Sequence, residues 1–196
     1  MTNIKTISVF CGSSVGNKEK YFDEAYTMGK FLAEADINII YGGAKVGLMG
    51  AIADGALKSG GTVTGVIPDF LRHKEIAHED LSELIIVKSM HERKMVMFEK
   101  SDGAIVLPGG FGTLDEMFEL LTWGPLGLHK KPVGILNILG YYDQLISFIT
   151  HTVNEGLLRK TNRDMLLISE NQEKLIQLMS NYVAPRKAKW INKDQI

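Results

Sequence analysis

The loop Pro108-Gly109-Gly110-Phe111-Gly112-Thr113 has the residue types best suited to chemistry in this sequence. It joins an apolar run at 104–107 to a segment with helical periodicity. Glycine permits positive φ and the close approach of a ligand, and the amides and dipole at a helix start attract an anion. We therefore predict that this loop binds a phosphorylated small molecule, with the Thr113 hydroxyl as a further donor.

Two other glycine-bearing loops, Gly12-Ser13-Ser14 and Gly42-Gly43-Ala44, also follow predicted strands. Any one of these loops is typical of an ordinary tight turn. The carboxyl ends of parallel strands, however, meet at one edge of a sheet. Three glycine loops at one edge favour a binding site there.

Neither standard nucleotide fingerprint is present. The phosphate-loop pattern requires Gly-Lys-Ser/Thr, whereas the third loop has Gly-Thr without a lysine. The dinucleotide pattern requires G-x-G-x-x-G after the first strand, where this chain has only Gly12 and Gly16. Roles for nicotinamide or flavin, and ATP hydrolysis, are therefore weakly supported, and we predict no cofactor.

Charged residues close to the third loop have two interpretations each. Glu116, four residues after Gly112 and expected in the first helical turn, suits either contact with a sugar beside the phosphate or a helix-capping acid. Arg93 and Lys94 open a predicted helix at 90–100. They suit either a solvated helix face or, for Arg93, a guanidinium fork for phosphate or carboxylate.

The polar segment after Pro68 contains His73 and His78 and suits a lid or a metal site. The spacing of these histidines fits no familiar zinc pattern, and Cys11 is the only cysteine. We therefore predict no metal site and no intrachain disulfide, and the cysteine content fits a reducing compartment.

Short β-branched runs alternate with helix-period segments along the whole chain. This alternation predicts right-handed βαβ units in an α/β, doubly wound parallel sheet with helices on both faces, as one domain over residues 1–196. The predicted strands are 4–11, 37–41, 62–67, 84–87, 104–107, 132–138 and 165–168. The predicted helices are 18–35, 47–58, 90–100, 112–123, 142–154 and 172–182.

Composition excludes several classes of protein. The 196 residues are 45% hydrophobic and 23% charged, with a formal net charge of −1, so no general field attracts nucleic acid or an anionic membrane. No apolar run reaches the roughly 18 residues that span a bilayer. The first residues lack a signal-peptide pattern, so we expect a cytoplasmic protein without nucleic-acid or membrane partners.

The motifs resemble those of the LONELY GUY (LOG) family, the cytokinin riboside 5′-monophosphate phosphoribohydrolases, which are often mislabelled lysine decarboxylases. PGGFGTLDE at 108–116 is similar to the family signature P-G-G-x-G-T-x-x-E. The similarity extends in family order to VFCGSS at 9–14, YGGAKVGLMG at 41–50 and MHERK at 90–94. Asp115 stands where a glutamate is also common, which is a conservative difference.

The resemblance implies a Rossmann-like fold and hydrolysis of the N-glycosidic bond of a nucleoside 5′-monophosphate to free base and ribose 5-phosphate. It places the catalytic pair on Arg93 and Glu116. It also implies a homodimer with the site near the subunit interface, to which a stripe of Met90, Met97 and Phe98 could contribute. The implied substrate contacts are Glu75, Arg93, Lys94, Gly110, Phe111, Gly112, Thr113, Leu114, Asp115, Glu116 and Thr122.

Two alternatives stay open at this point: a nucleosidase with a different base preference, such as a general AMP or pyrimidine-nucleotide enzyme, and a non-catalytic nucleotide-binding or carrier protein. Glu116 and Arg93 favour an enzyme over a carrier. The sequence motifs do not indicate which base is preferred. Lysine decarboxylation has no support, because no lysine lies in a recognisable pyridoxal phosphate context.

Overall fold

The computed structural model describes residues 4–72 and 77–185 and contains seven strands and seven α-helices in that part of the chain. The strands are β1 Thr6–Phe10, β2 Asn38–Tyr41, β3 Val63–Pro68, β4 Glu83–Val87, β5 Gly103–Val106, β6 Val133–Leu136 and β7 Leu166–Ser169. The helices are α1 Glu19–Glu34, α2 Gly47–Lys58, α3 Met90–Glu99, α4 Phe111–Trp123, α5 Asp143–Asn154, α6 Lys160–Arg163 and α7 Gln172–Ser180. Short 3₁₀ turns occupy Asp69–Leu71 and Ile138–Gly140.

The described strands form one parallel sheet in the order β4-β3-β2-β1-β5-β6-β7. Successive strand residues point to opposite faces, so Ile39 belongs to one hydrophobic core and Ile40 to the other. Helices α1, α2 and α7 cover the first core, and α3, α4 and α5 cover the second. The expectation of a doubly wound α/β fold with helices on both faces is confirmed.

The sheet changes direction of growth at β1, which pairs with β2 on one side and β5 on the other. A crevice forms at such a switch point, beyond the carboxyl ends of the two central strands. Here the amide of Gly12 donates to the Pro108 carbonyl at 2.9 Å, so the loops that follow β1 and β5 meet. The fold therefore brings together two of the glycine loops that the sequence singled out.

Some expected details differ from the structure. Helix α4 begins at Phe111, so Glu116 lies in its second turn, not its first. Met97 and Phe98 are buried in the protein's own core, whereas Met90 is 38% exposed. Two of the three residues of the expected apolar stripe on α3 therefore face inward, and only Met90 is exposed. No helix in the described part of the chain is both long and apolar enough to span a membrane.

Candidate active site

The loops after β1 and β5 form a cavity of about 270 Å³ at the switch point. The amide of Leu48, in the first turn of α2, donates to the Gly12 carbonyl at 3.1 Å, which ties this edge to the segment after β2. The structure thus places all three glycine loops at one edge of the sheet. The cavity is lined in part by Gly12, Ser14, Tyr21, Pro108, Gly110 and Tyr141.

The amino terminus of α4 is open to a ligand. Gly110 is its N-cap residue, and the first amides of a helix have no intrahelical acceptor. A Cβ built on Gly110 or Gly112 would meet no atom within 4 Å, and Phe111 is 93% exposed. These free amides and the helix dipole suit a phosphate.

Gly109 and Thr113 fit together beneath this helix start. A Cβ on Gly109 would lie 2.1 Å from Oγ1 of Thr113, so any side chain at 109 would collide with the threonine. Thr113 is buried, and its side chain supports the loop from within. Glycine is therefore required at 109 for packing, whereas the glycines at 110 and 112 leave space for a ligand.

Arg93 is directed into the protein by the way α3 begins. Ser89 caps the helix by accepting a hydrogen bond from the Glu92 amide at 3.1 Å, and the Glu92 carboxylate accepts from the Lys88 amide at 2.7 Å. These reciprocal bonds fix the first turn. One turn later Arg93 is only 7% exposed, which excludes the solvated-face interpretation for this residue.

The Arg93 guanidinium has few partners in the part of the chain that the structure describes. Its buried Nε has no hydrogen-bond partner there, and Nη1 lies 3.9 Å from the Met90 sulfur. A Cβ on Gly42 would stand 2.0 Å from Nη2, so the absence of a side chain at 42 gives the guanidinium its place. A buried cation with free donors is suited to bind an anion.

His78 holds the Gly42-Gly43-Ala44 loop in this position. Its amide donates to the Gly43 carbonyl at 2.9 Å, and Ala77 forms a β-bridge with Ala44. The amide of Asp80 donates to Nδ1 of the His78 ring at 3.2 Å, so Nε2 carries the proton and donates to Asp54 at 3.1 Å. His78 is a buried clamp on this loop, a role that the lid or metal interpretation missed.

Glu116 is partly buried on the second turn of α4. Burial raises the pKa of its carboxyl to about 7, although the positive charge of Arg93 acts in the opposite direction. Cys11, at the end of β1, is also close: burial raises the pKa of its thiol, the Glu116 charge adds to this, and the Arg93 charge opposes it. A carboxyl with a pKa near neutrality is suited to acid–base and charge-stabilising work.

Lys94 connects the two helices that carry Arg93 and Glu116. Its Nζ lies 3.2 Å from Oδ2 of Asp115 and 3.1 Å from Oε1 of Glu119. Burial alone would lower the pKa of Lys94, but the hydrogen bonds with Glu119 and Asp115 outweigh it and raise that pKa. Lys94 is thus a protonated bridge between α3 and α4. Leu114, another expected substrate contact, packs partly buried against the second core.

Thr122 lies apart from these residues. It is six residues beyond Glu116 on α4, about 9 Å along the helix axis, and donates to the Phe118 carbonyl at 2.7 Å. It lines a different, mainly apolar cavity of about 570 Å³ between α4 and α5. Glu75, another expected substrate contact, lies outside the described residues.

Two tyrosines at this edge were not anticipated from the sequence. The hydroxyl of Tyr141 donates to the Gly109 carbonyl at 2.9 Å, and that of Tyr142 donates to the Leu107 carbonyl at 2.8 Å. Both residues follow β6 in the loop before α5. An aromatic pair directly after Gly140, at the carboxyl end of a predicted strand, is the signal that could have indicated them.

Comparison with known proteins gives consistent matches. The family described as possible lysine decarboxylase matches residues 49–179. The chain is 44% identical to cytokinin riboside 5′-monophosphate phosphoribohydrolase LOG2 of Arabidopsis thaliana, covering 93% of this chain and 85% of that protein. It is also 44% identical to the enzyme of that name LOG1 from the same plant, covering 98% of this chain and 90% of that protein.

Solved structures share the fold at lower sequence identity. The molybdenum cofactor binding protein of Rippkaea orientalis has a TM-score of 0.68 and 23% identity, covering 91% of this chain and 96% of that one. The molybdenum cofactor carrier protein of Chlamydomonas reinhardtii has a TM-score of 0.67 and 20% identity, covering 92% and 98%. At these identities the likeness concerns the fold alone.

Proposed function

This chain belongs to the LONELY GUY (LOG) family, and we propose that it hydrolyses the N-glycosidic bond of a nucleoside 5′-monophosphate to give the free base and ribose 5-phosphate. The observation that carries this proposal is the arrangement on α4. Its open amino terminus suits a phosphate, and Glu116, whose burial raises the carboxyl pKa to about 7, lies on the second turn of the same helix. Phosphate and carboxylate sites on one rigid helix are suited to hold a nucleotide's sugar between them.

The bond to be broken determines what Glu116 must do. As the C1′–N bond breaks, its electron pair goes to the base and positive charge develops on the ribose ring. The ionised Glu116 carboxylate stabilises this charge and removes a proton from the water whose oxygen attaches to C1′. The departing base nitrogen takes up a proton. All of this chemistry is within reach of ordinary side chains.

Arg93 supplies the buried positive charge of the site. Its charge favours the ionised form of Glu116, and its Nε, which has no hydrogen-bond partner among the described residues, leaves a donor for the nucleotide. The amides of Gly110, Gly112 and Thr113 hold the 5′-phosphate and so position C1′ against the carboxylate. Lys94 and Asp115 act through their ion pair, which fixes α3 against α4 and therefore Arg93 relative to Glu116.

The relatives' names suggest the substrate. We propose a cytokinin riboside 5′-monophosphate, AMP or both, without a cofactor. The family description as a possible lysine decarboxylase does not fit the site. A Schiff base requires a neutral amine, whereas Lys94 is held as an ammonium ion by two carboxylates. We further propose a cytoplasmic protein that does not bind nucleic acid.

We also propose that the protein is a homodimer, with a second copy covering the cavity between α4 and α5. Phe118 and Phe148 are exposed at this apolar cavity, and a second chain would remove them from water. Thr122, an expected substrate contact, lines the same cavity and not the Glu116 site of its own chain. A packed dimer could bring Thr122 of one copy towards the site of the other.

The proposed activity is tested by incubating the purified protein with AMP, GMP, CMP, UMP and a cytokinin riboside 5′-monophosphate. Free base and ribose 5-phosphate are then quantified by chromatography. We expect equal amounts of both products from at least one adenine-type substrate, and turnover reduced at least about a hundredfold in Glu116→Ala and Arg93→Ala. Binding of AMP without release of base would support the carrier alternative and overturn the proposal, as would unchanged turnover in either variant.

A further inference from the structure

The four successive carbonyls from Leu107 to Gly110 each accept a hydrogen bond: two from adjacent tyrosines after β6, one from the loop after β1 and one from the first turns of α4 itself. The donors are two tyrosine hydroxyls and two backbone amides. The pairs are Tyr142 to Leu107 at 2.8 Å, Gly12 to Pro108 at 2.9 Å, Tyr141 to Gly109 at 2.9 Å and Leu114 to Gly110 at 3.0 Å. The orientation of every peptide unit from Leu107 to Phe111 is therefore fixed.

Fixing a carbonyl also fixes the amide that follows it. In a planar trans peptide the C=O and the next N–H point in opposite directions. Because Tyr141 holds the Gly109 carbonyl, the Gly110 N–H points away from Tyr141, on the opposite face of the loop. The space where a Gly110 side chain would stand is empty. Both features leave the start of α4 open to an anion.

Tyr141 is itself held by an unusual loop. Leu139 and Gly140, directly before it, have φ of 52° and 67°, a conformation that disfavours leucine. The Asn137 side chain binds both the Asp143 carboxylate, at 2.7 Å, and the Tyr142 amide, at 2.8 Å. Backbone strain that surrounding contacts maintain is typical of functional positions.

Aromatic contacts complete the placement of the ring. Tyr141 meets Tyr142 edge-on at 4.8 Å between ring centroids, and Tyr21 edge-on at 5.6 Å. Tyr141 as a whole is nevertheless 42% exposed, so it is not a core residue. The phenol ring of Tyr141 is thus held by neighbouring contacts, and its hydroxyl donates to one carbonyl of the glycine-rich loop. This arrangement favours a positioning role for the hydroxyl.

We propose that Tyr141 is a positioning residue of the phosphate site: through the Gly109 carbonyl, its hydroxyl aims the Gly110 N–H at the 5′-phosphate. The inference rests on the proposed function and adds to it a residue outside the family motifs. Tyr141 acts through the loop and does not touch the reacting atoms. Its effect is therefore confined to ligands that carry the phosphate.

The test is Tyr141→Phe, which removes the hydroxyl and keeps the ring. The matched control is Tyr26→Phe, on α1 beside Lys58 and away from this edge. Isothermal titration of each variant with ribose 5-phosphate and with adenosine gives Kd, steady-state assay gives kcat/KM for AMP, and calorimetry gives Tm. Ribose 5-phosphate and adenosine separate the phosphate contribution from the rest of the nucleotide.

We expect Tyr141→Phe to weaken ribose 5-phosphate binding about tenfold, the scale of one well-oriented hydrogen bond to a charged group, and to lower kcat/KM for AMP similarly. For Tyr141→Phe, adenosine binding should stay within about twofold of wild type and the Tm within a few degrees. For the control Tyr26→Phe, every measured quantity should stay within these same limits. Equal weakening of adenosine and ribose 5-phosphate binding would assign a merely structural role and overturn the proposal, as would unchanged ribose 5-phosphate binding. Because binding is measured separately from turnover, a wild type that binds ribose 5-phosphate but releases no base would contradict the proposed function alone.

Discussion

The guanidinium of Arg93 lies in the space that a side chain on Gly42 would occupy: a Cβ at 42 would be 2.0 Å from Nη2. The same Cβ would be 2.9 Å from the sulfur of Met49. Both are ends of flexible side chains, so the fold can accommodate an alanine by moving them. Gly42 therefore determines where the charge of Arg93 lies more than it determines whether the chain folds.

Gly42→Ala should lower kcat at least about tenfold by displacing the guanidinium, while the Tm stays within a few degrees of wild type. Steady-state base release and calorimetry on the same preparation measure both. In the Arg93→Ala background, Gly42→Ala should lower kcat by less than about twofold, since the guanidinium that it displaces is already gone. Additive losses in this double-mutant cycle would mean that Gly42 acts elsewhere.

The pH dependence of turnover should reflect Glu116. Because burial raises the pKa of this carboxyl to about 7 and the proposed mechanism needs the carboxylate, kcat should rise between pH 5 and 8 with a midpoint near 7. Lys94 faces the same group and lowers its pKa, whereas Asp115 and Glu119 raise it. An acid limb with its midpoint below pH 5 would contradict the assignment.

Arg93→Gln should move that midpoint to higher pH in the residual activity, because the lost positive charge favoured the ionised carboxylate. The phosphate of the substrate also titrates, near pH 6, but its own ionisation is the same for both enzymes. The shift between variant and wild type therefore isolates Glu116. An unchanged midpoint would place Arg93 too far from Glu116 to influence it.

Stability should change with pH in the direction opposite to activity. The folded-state pKa of Glu116 lies above its unfolded value, so the stability that its carboxyl contributes is fully present below about pH 4 and is lost as the pH rises through 7. Glu116→Gln cannot ionise, so it should be about 1–3 kcal/mol more stable than wild type at pH 8 and similar to it at pH 4. Urea unfolding at the two pH values measures this; a variant less stable at pH 8 would refute it.

Elements with strong local signals were predictable from the sequence. Strand β5 and helix α2 follow from their apolar pattern, since the predicted 104–107 and 47–58 agree with the structure to within a residue. Which face of a helix is buried was harder to read. Met97 and Phe98 lie in the core whereas Met90 is exposed, and this depends on how α3 rotates against the sheet.

The candidate-site residues that one segment carries were the easiest to place from the sequence. The loop at 108–113 and Glu116 are adjacent in sequence, so the pattern alone indicated them. The contacts of Gly42 with Arg93 and of Tyr141 with Gly109 join residues 51 and 32 positions apart. Such contacts arise from the order of strands in the sheet, which local periodicity does not encode.

The proposed assembly predicts a dimer in solution at micromolar concentration. Phe148→Asp would introduce a charge beside the cavity between α4 and α5 without touching Glu116 or Arg93, so it should produce a folded monomer. Light scattering measures the mass and circular dichroism the fold. A wild-type monomer with full activity would contradict the proposed dimer. It would also show that the site needs no residue from a second copy.

The comparison that bears most directly on the central claim is steady-state base release from adenosine, AMP, ADP and ATP in one buffer. Each charge-assisted hydrogen bond to the phosphate contributes roughly 1.5–3 kcal/mol, and the start of α4 offers two or three. Even discounted for non-additivity, these bonds should make kcat/KM for AMP about a thousandfold or more higher than for adenosine, because roughly 1.4 kcal/mol is a factor of ten. Part of the difference should be in kcat, since the anchored phosphate positions C1′ over Glu116, and ADP and ATP should be poor substrates. Comparable efficiency on adenosine and AMP would mean that the loop does not hold the phosphate, and would contradict the proposed function at its foundation.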